Sequence, residues 1–487
     1  MGVVDDRDWR WGHRMSDVLM QIYQRLPGSF RSIPASLHGL RLRSSRYGPE
    51  TDTLVNQALE REHWSPEQWK AWQEDRLGFV LNRAASSVPF YRELWADRFR
   101  RGDRTSAEEL ANWPILEKET LRKNPRAFVA EDCELSRMQH VRTSGTTGKS
   151  LELWRSQETE RAWYALFEAR CRQWYGLTRH DRWAILGGRL VTPVHLRRPP
   201  FWVWNAALNQ LYMSSYHLAP DLVSHYLEAL SHYRIKYLYG YTSALYELAQ
   251  GVLSQGQSKL KVAVVLTNAE PVFGYQREVI EEAFQCPVRE TYGMAEVVAA
   301  ASECENGRMH LWPEVAEVEV VENNRTVNED ASGDLLCTGL LNSDMPLIRY
   351  RVGDRVSLAK ANEACSCGRT LPILSAIEGR IDDVLYTSDG RRVGRLDPVF
   401  KINLPIREAQ IIQETLHRVR VCYVPHGEFT GAAARSITRQ LQARLGKVQV
   451  DFEPVNEVPR TANGKFRAVV CNLTPELKES LRRRLAS

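Results

Sequence analysis

Thr143, Ser144, Gly145, Thr146, Thr147, Gly148, Lys149 and Ser150 place two glycines, five hydroxyls and one lysine in eight consecutive positions. Glycines let a backbone approach a phosphate closely, hydroxyls and amides donate to its oxygens, and a lysine offsets its charge. A nucleotide polyphosphate is therefore the first ligand to consider. The ending Gly-Lys-Ser is shared with the Walker A loop, but that loop needs a glycine five residues before its Gly-Lys, where Thr143 stands. Spacing excludes the Walker reading, while a solvent-exposed turn stays open for this segment taken alone.

A second group is Cys304 and His310, followed more than fifty residues later by Cys365 and Cys367 in a Cys-x-Cys-Gly-Arg run. Three thiolates and one imidazole suit a closed tetrahedral zinc, a structural site with no position left for catalysis. Cys-x-Cys is tighter than the usual Cys-x2-Cys, so free cysteines beside a surface histidine remain the alternative. The chain has 9 cysteines, an odd number and otherwise scattered, which points to reduced thiols.

The elements that must position these groups are legible in outline. From Met15 to Trp95 the pattern is helical with breaks at Pro27, Pro34 and Pro89, and Pro66 to Ala85 has apolar residues at helical spacing. From Asp181, short apolar strands at Trp183 to Leu186, Tyr237 to Tyr239 and Val262 to Leu266 alternate with helices at Leu222 to His232 and Ser243 to Leu253, which predicts a largely parallel sheet. After Glu314, strands at Val315 to Val321 and Leu335 to Thr338 follow with only a polar turn between them, so an antiparallel or barrel-like subdomain is expected. Past Gly379 the pattern restarts: strands near Ile411-Ile412 and Val419 to Val424, a helix from Thr430 to Leu445 and a strand at Val448 to Phe452 form a small α+β unit. The expected division is 1–378, a large α/β domain with a helical N-terminal cap, and 379–487, a small C-terminal lid.

The whole chain sets limits on function. At 487 residues it exceeds one ordinary core, and 43% hydrophobic with 26% charged residues is a globular composition. A net charge of +5 from 65 basic and 60 acidic residues is a small excess, so no nucleic-acid partner is expected. Asp5, Asp6, Arg7 and Asp8 stand where the apolar part of a signal peptide would begin, and no apolar run reaches spanning length, so a cytoplasmic protein without a membrane span is expected.

The octet from Thr143 resembles the phosphate loop of the acyl-adenylate-forming superfamily, with Ser150 in place of the usual proline. Further elements follow in that superfamily's order: Asn268-Ala269-Glu270-Pro271, Glu290-Thr291-Tyr292-Gly293-Met294-Ala295-Glu296, Tyr350-Arg351-Val352-Gly353-Asp354, Gly379-Arg380-Ile381-Asp382-Asp383 and Asn463-Gly464-Lys465. Within it the chain is most similar to phenylacetate-CoA ligases and the CapK-like proteins, through Ser87 to Arg92, Pro114 to Lys118 and Met345 to Tyr350. Asp389 to Gly394 and Gln410 to Gln413 resemble the CapK-like side.

The resemblance implies an adenylate-forming enzyme fold with a mobile small domain, and roles for single residues. Thr143 to Lys149 would hold the ATP phosphates, Glu296 the Mg²⁺ bridging them, Tyr292 with Gly293 the adenine, and Asp354 the ribose hydroxyls, with Arg380 also on the nucleotide. Ala269 and Glu270 would border the adenine or the acyl pocket, and Tyr241 would line the latter. Lys465, after Val458-Pro459-Arg460, would stabilise charge during adenylation, and Asp382 would be the hinge between adenylation and transfer poses. Ala295 replaces the usual Thr or Ser, so one hydroxyl contact to the α-phosphate is missing. Members sharing the Cys/His arrangement favour zinc at Cys304, His310, Cys365 and Cys367. Pro200 to Asn205 and Tyr216-His217 are aromatic-rich, but a packed or exposed His217 is expected rather than a catalytic one.

The implied function is MgATP-dependent activation of a carboxylic acid, with acyl transfer to CoA. Amide or ester formation in polysaccharide or natural-product synthesis is the alternative acceptor chemistry. A non-catalytic nucleotide-binding scaffold is the alternative from another class, and it would predict decay at Glu296, Asp354 or Lys465, all of which stand. A homodimer stays open.

Overall fold

The computed structural model describes residues 22–486 apart from 24, 104, 143–150, 190, 194–195, 197, 220, 257–259, 328–330, 361–362, 381–384, 389–391, 394–398, 400–404, 426 and 461–466. Four helices open the described chain, Ser32–Arg46, Thr51–Arg61, Pro66–Ser87 and Pro89–Arg100. Pro66 and Pro89 each occupy a first helical position, and Ser65 with Gln68 closes a capping box, so local chemistry sets these starts. Pro34 corrects the expectation of a break: it lies within Ser32–Arg46, in the first turn, where a missing N–H removes no intrahelical bond.

Among the described residues, thirteen strands form one continuous sheet. From one edge, Trp202–Asn205 is antiparallel to Gln210–Ser214; then Gln210–Ser214, Trp183–Gly187, Tyr237–Tyr241, Val265–Asn268 and Val288–Gly293 run parallel. At Val288–Gly293 the pairing changes. That strand is antiparallel to Ala300–Glu303, and antiparallel pairing continues through Met309–Leu311, Ile373–Arg380, Tyr350–Leu358, Ser332–Gly339, Ala316–Glu322 and Arg325–Thr326. The antiparallel segment expected after Glu314 thus continues the parallel sheet rather than standing apart from it. The strand expected at Val262 to Leu266 is shifted to Val265–Asn268, because Val262 packs among the helices of the core while pairing begins at Val265 opposite Leu238.

Helices Val223–His232, Thr242–Ser254 and Gly274–Phe284 cover one face of the parallel strands, burying Leu238, Val265 and Val288. Helix Gln157–Phe167 and the N-terminal helices cover the other, around Trp163, Phe167, Tyr239 and Leu266. Arg170 is wholly buried there, bidentate to Glu314 at 2.8 and 2.8 Å and 3.3 Å from Glu62. Such a charge is tolerated only with its partners in place.

The C-terminal region is an α+β unit as expected. Strands Gln449–Pro454, Arg418–Pro425, Ile406–Thr415 and Val469–Cys471 form a four-stranded sheet, and helix Gly431–Leu445 packs Ile437, Leu441 and Leu445 into its own apolar cluster. No helix among the described residues is long and apolar enough to cross a membrane.

Candidate active site

Parallel strands present their carboxyl ends along one edge, where open α/β sheets bind ligands. Tyr241 and Asn268 are register partners at that edge, and Val288–Gly293 ends beside them with Tyr292 and Gly293. Gly240 has a steric reason: a Cβ there would lie 2.4 Å from the Leu186 carbonyl oxygen, so the two strands approach this closely only without a side chain. After Asn268, Ala269 adopts φ +63° and turns the chain away from the sheet. The Glu270 carboxylate then accepts the Ser243 N–H at 2.8 Å and its hydroxyl at 3.1 Å, capping helix Thr242–Ser254 from a neighbouring loop. Glu270 therefore fastens two strand-end loops to each other.

Tyr292 brings the two halves of the sheet together. Its hydroxyl donates to Asp354 Oδ2 at 2.6 Å, with Asp354 on Tyr350–Leu358 and opposite Arg380 in register. An aromatic face and a carboxylate held this way can stack a base and accept a vicinal diol.

Glu296 follows three residues beyond Gly293 and is buried. Lys118 Nζ lies 3.1 Å from its Oε1, and the Tyr350 hydroxyl donates to the same oxygen at 3.2 Å. Lys118 is delivered by a backbone pin: Leu116 donates to Arg349 O and accepts from Arg351 N, each at 3.0 Å, so helix Lys118–Lys123 starts beside Tyr350. Arg155 Nη2 donates to Ala295 O at 2.6 Å and Arg155 Nη1 lies 3.3 Å from Glu160, fixing the loop that carries Glu296. A buried carboxylate already beside one cation has the chemistry a Mg²⁺ ligand needs, a hard anionic oxygen in a fixed place.

The phosphate-loop residues Thr143, Ser144, Gly145, Thr146, Thr147, Gly148 and Lys149 lie outside the described residues, as do Asp382 and Lys465. The flanks of the loop are described. Gln139–Arg142 and Glu152–Arg155 pair antiparallel, with Arg142 opposite Glu152. His217 is packed and not exposed: it is buried, stacked on Phe201, accepting from Ser214 at Nδ1 and donating from Nε2 to Pro193 O.

The ligand atoms of Cys304, His310, Cys365 and Cys367 all lie within 4.8 Å of one another. Cys304 Sγ and Cys365 Sγ are 3.8 Å apart, and Cys367 Sγ is 3.4 Å from His310 Nε2. His310 Nδ1–H donates to Leu371 O at 3.1 Å, which sets the tautomer that leaves an Nε2 lone pair facing the sulfurs. Burial pushes the Cys304 thiol up to about 12 and holds His310 below its ordinary value. Both shifts follow chiefly from desolvation of the buried groups, and three sulfurs with one imidazole form a donor set that fits zinc. The cluster packs with Trp69 and Trp174, in a core separate from the one that contains Tyr292 and Met294.

Lys118, Tyr350 and Arg155 were given no role from sequence. Lys118 and Tyr350 stand inside segments already singled out, Pro114 to Lys118 and Met345 to Tyr350, so their position was signalled but their convergence on Glu296 was not.

Comparison with known proteins follows the same lines. Residues 385–472 match the CapK C-terminal domain family. The chain is 23% identical to Protein CapK of Staphylococcus aureus, over 94% of this chain and 100% of that protein. It is 25% identical to the phenylacetate-coenzyme A ligase of Thermus thermophilus, over 87% of this chain and 99% of that one. Among solved structures, a 2-hydroxyisobutyryl-CoA ligase in the postadenylation state in complex with 2-HIB-AMP superposes with a TM-score of 0.64 at 20% identity, covering 88% of this chain and 94% of that one.

Proposed function

We propose that this chain is a member of the acyl-adenylate-forming superfamily, and that it joins a carboxylic acid to ATP, giving an acyl-adenylate and pyrophosphate, and then transfers the acyl group to CoA with release of AMP. The observation that supports this reading is the Tyr292 to Asp354 contact, with Glu296 buried beside Lys118 four residues beyond Tyr292: a ring suited to stacking a base, a carboxylate suited to a diol and a second carboxylate suited to a metal.

In this reading the substrate carboxylate oxygen attacks the α-phosphorus as the bond to pyrophosphate breaks. Thr143 to Lys149 cradle the phosphates, Lys465 stabilises the charge developing on the α-phosphate, and Glu296 would hold Mg²⁺, which neutralises phosphate charge when bound. Tyr292, Gly293, Asp354 and Arg380 seat the nucleoside. Rotation of 379–487 against 1–378 about Asp382 then exchanges the adenylation pose for the transfer pose. Zinc at Cys304, His310, Cys365 and Cys367 would be structural.

The test is acid-dependent pyrophosphate release, run with CoA and with hydroxylamine as acceptors. Lys465→Ala abolishes acid-dependent exchange of pyrophosphate into ATP while ATP binding, read by calorimetry, stays close to wild type. Unchanged exchange overturns the role of Lys465, and no release with any acid overturns the activity. An amine or hydroxyl acceptor is the second reading.

A further inference from the structure

Asn268 ends the strand Val265–Asn268 with only 3% of its surface exposed, yet among the described residues its side-chain oxygen meets no hydrogen-bond donor. Buried amide oxygens nearly always have a partner, and an exception at the ligand-binding edge of a sheet marks a place for a ligand's donor. Side chains alternate along a strand. Val264 and Leu266 pack with Trp163, Phe167 and Tyr239, whereas Val265 packs with the helices opposite, so Asn268 falls on the Leu266 face. Its register partner is Tyr241, and Ala269 beside it, at φ +63°, turns the chain out of the sheet.

Two ligands could reach this edge, the nucleoside and the acyl group. The Tyr292 hydroxyl is tied to Asp354 in the antiparallel half, which draws the nucleoside to that side. Asn268 lies on the other side of Tyr292 in the strand order, next to Tyr241. We propose that Asn268 lines the acyl pocket as a specificity-determining residue, and that the acid this protein activates carries a hydrogen-bond donor, a hydroxyl or an amino group, which the Asn268 side-chain oxygen accepts. The inference rests on the adenylation reading and narrows its substrate class. A pocket built this way discriminates strongly, because an acid without the donor leaves the amide oxygen buried and unpaired.

The test uses matched acids: 2-hydroxyisobutyrate with isobutyrate, 3-hydroxybutyrate with butyrate, 4-hydroxyphenylacetate with phenylacetate, and β-alanine with propionate. Each is assayed for pyrophosphate release with hydroxylamine as acceptor. The wild-type protein is expected to favour the donor-bearing member of at least one pair by about 10- to 100-fold in kcat/KM. In Asn268→Ala and Asn268→Leu that ratio collapses towards one, with melting temperatures checked alongside. The wild-type ratio is informative even where a variant fails to fold. A wild-type ratio near or below one for every reacting pair overturns the inference, as does a ratio retained in both variants. A rise in the KM for ATP with the acid ratio unchanged also overturns it, assigning Asn268 to the nucleoside. The absence of pyrophosphate release with every acid of the panel sinks the adenylation reading itself, an outcome distinct from the other three.

Discussion

Tyr292 and Asp354 are 62 residues apart in sequence and are joined by a 2.6 Å hydrogen bond from the tyrosine hydroxyl to the carboxylate. The bond crosses the place where the sheet changes from parallel to antiparallel pairing, since Tyr292 lies on the last parallel strand and Asp354 within the antiparallel set. It keeps the aromatic face and the carboxylate at a fixed offset, which removes an ordering cost that a nucleoside would otherwise bear on binding.

Loss of the carboxylate and loss of the hydroxyl should therefore differ. Asp354→Ala removes an acceptor of charge-assisted bonds, each worth about 1.5–3 kcal/mol, and raises the KM for ATP by roughly 10- to 100-fold. Tyr292→Phe keeps the ring and frees Asp354 from one donor, so the KM for ATP changes by only a few-fold. Steady-state kinetics at saturating acid separates the two, and equal effects would remove the distinction between stacking and diol recognition.

Glu296 shares one oxygen between Lys118 and Tyr350. Glu296→Gln keeps the shape and a hydrogen bond from Tyr350 but loses the charge, so pyrophosphate release should fall by about 100-fold or more while the melting temperature changes little. Lys118→Ala should act in the opposite sense on the cation: with a positive neighbour gone from 3.1 Å, Mn²⁺ binding followed by electron paramagnetic resonance tightens. Mn²⁺ binding that weakens in Lys118→Ala would mean that the lysine supports the cation site instead of competing for it.

The convergence of three sulfurs and one imidazole leads to a stability prediction. Purified protein should carry about one zinc per chain by elemental analysis, a figure that follows from a closed four-ligand site. A strong chelator, or Cys365→Ser with Cys367→Ser, removes the metal and lowers the melting temperature, and added Mg²⁺ does not restore it. Metal-free protein with the melting temperature of the untreated chain would leave these residues as free thiols beside a histidine.

Much of this architecture was legible because it is local. Pro66, Pro89 and the Ser65 to Gln68 box announce helix starts, and the apolar runs at Trp183 and Tyr237 are too short and too continuous for amphipathic helices. Pro34 misled because a proline breaks a helix only beyond its first turn, and sequence alone did not place that turn. Long-range facts were hidden for a different reason. Lys118 reaches Glu296 across 178 residues through the backbone pin between Leu116 and residues 349 and 351, and no periodicity reports such a bridge. The continuity of the sheet was equally hidden, because Met309–Leu311 pairs with Ile373–Arg380 across the Ala316–Leu358 strands. The Cys/His group was visible as residue types, and folding alone brings its two halves within 4.8 Å.

Glu290, at the head of the segment that leads to Tyr292, gives a pH dependence. Burial, with the neighbouring Glu303 carboxylate adding to it, pushes Glu290 up to about 8 from an ordinary value of 4.5. Arg277 offsets this only in part, because its guanidinium is engaged by both oxygens of Glu303 at 3.0 and 3.1 Å, and Glu303 also accepts the Glu290 N–H at 2.7 Å. Between the two values the folded chain holds a proton that the unfolded chain has lost. The contribution of this group to stability is therefore intact below about 4.5, is lost as pH rises, and levels off above about 8. Glu290→Gln cannot ionise, so its stability relative to wild type should climb steadily between pH 5 and pH 8.5. Urea midpoints measured across that range check it, and a difference between variant and wild type that stays constant with pH would show that Glu290 is ionised in the folded protein.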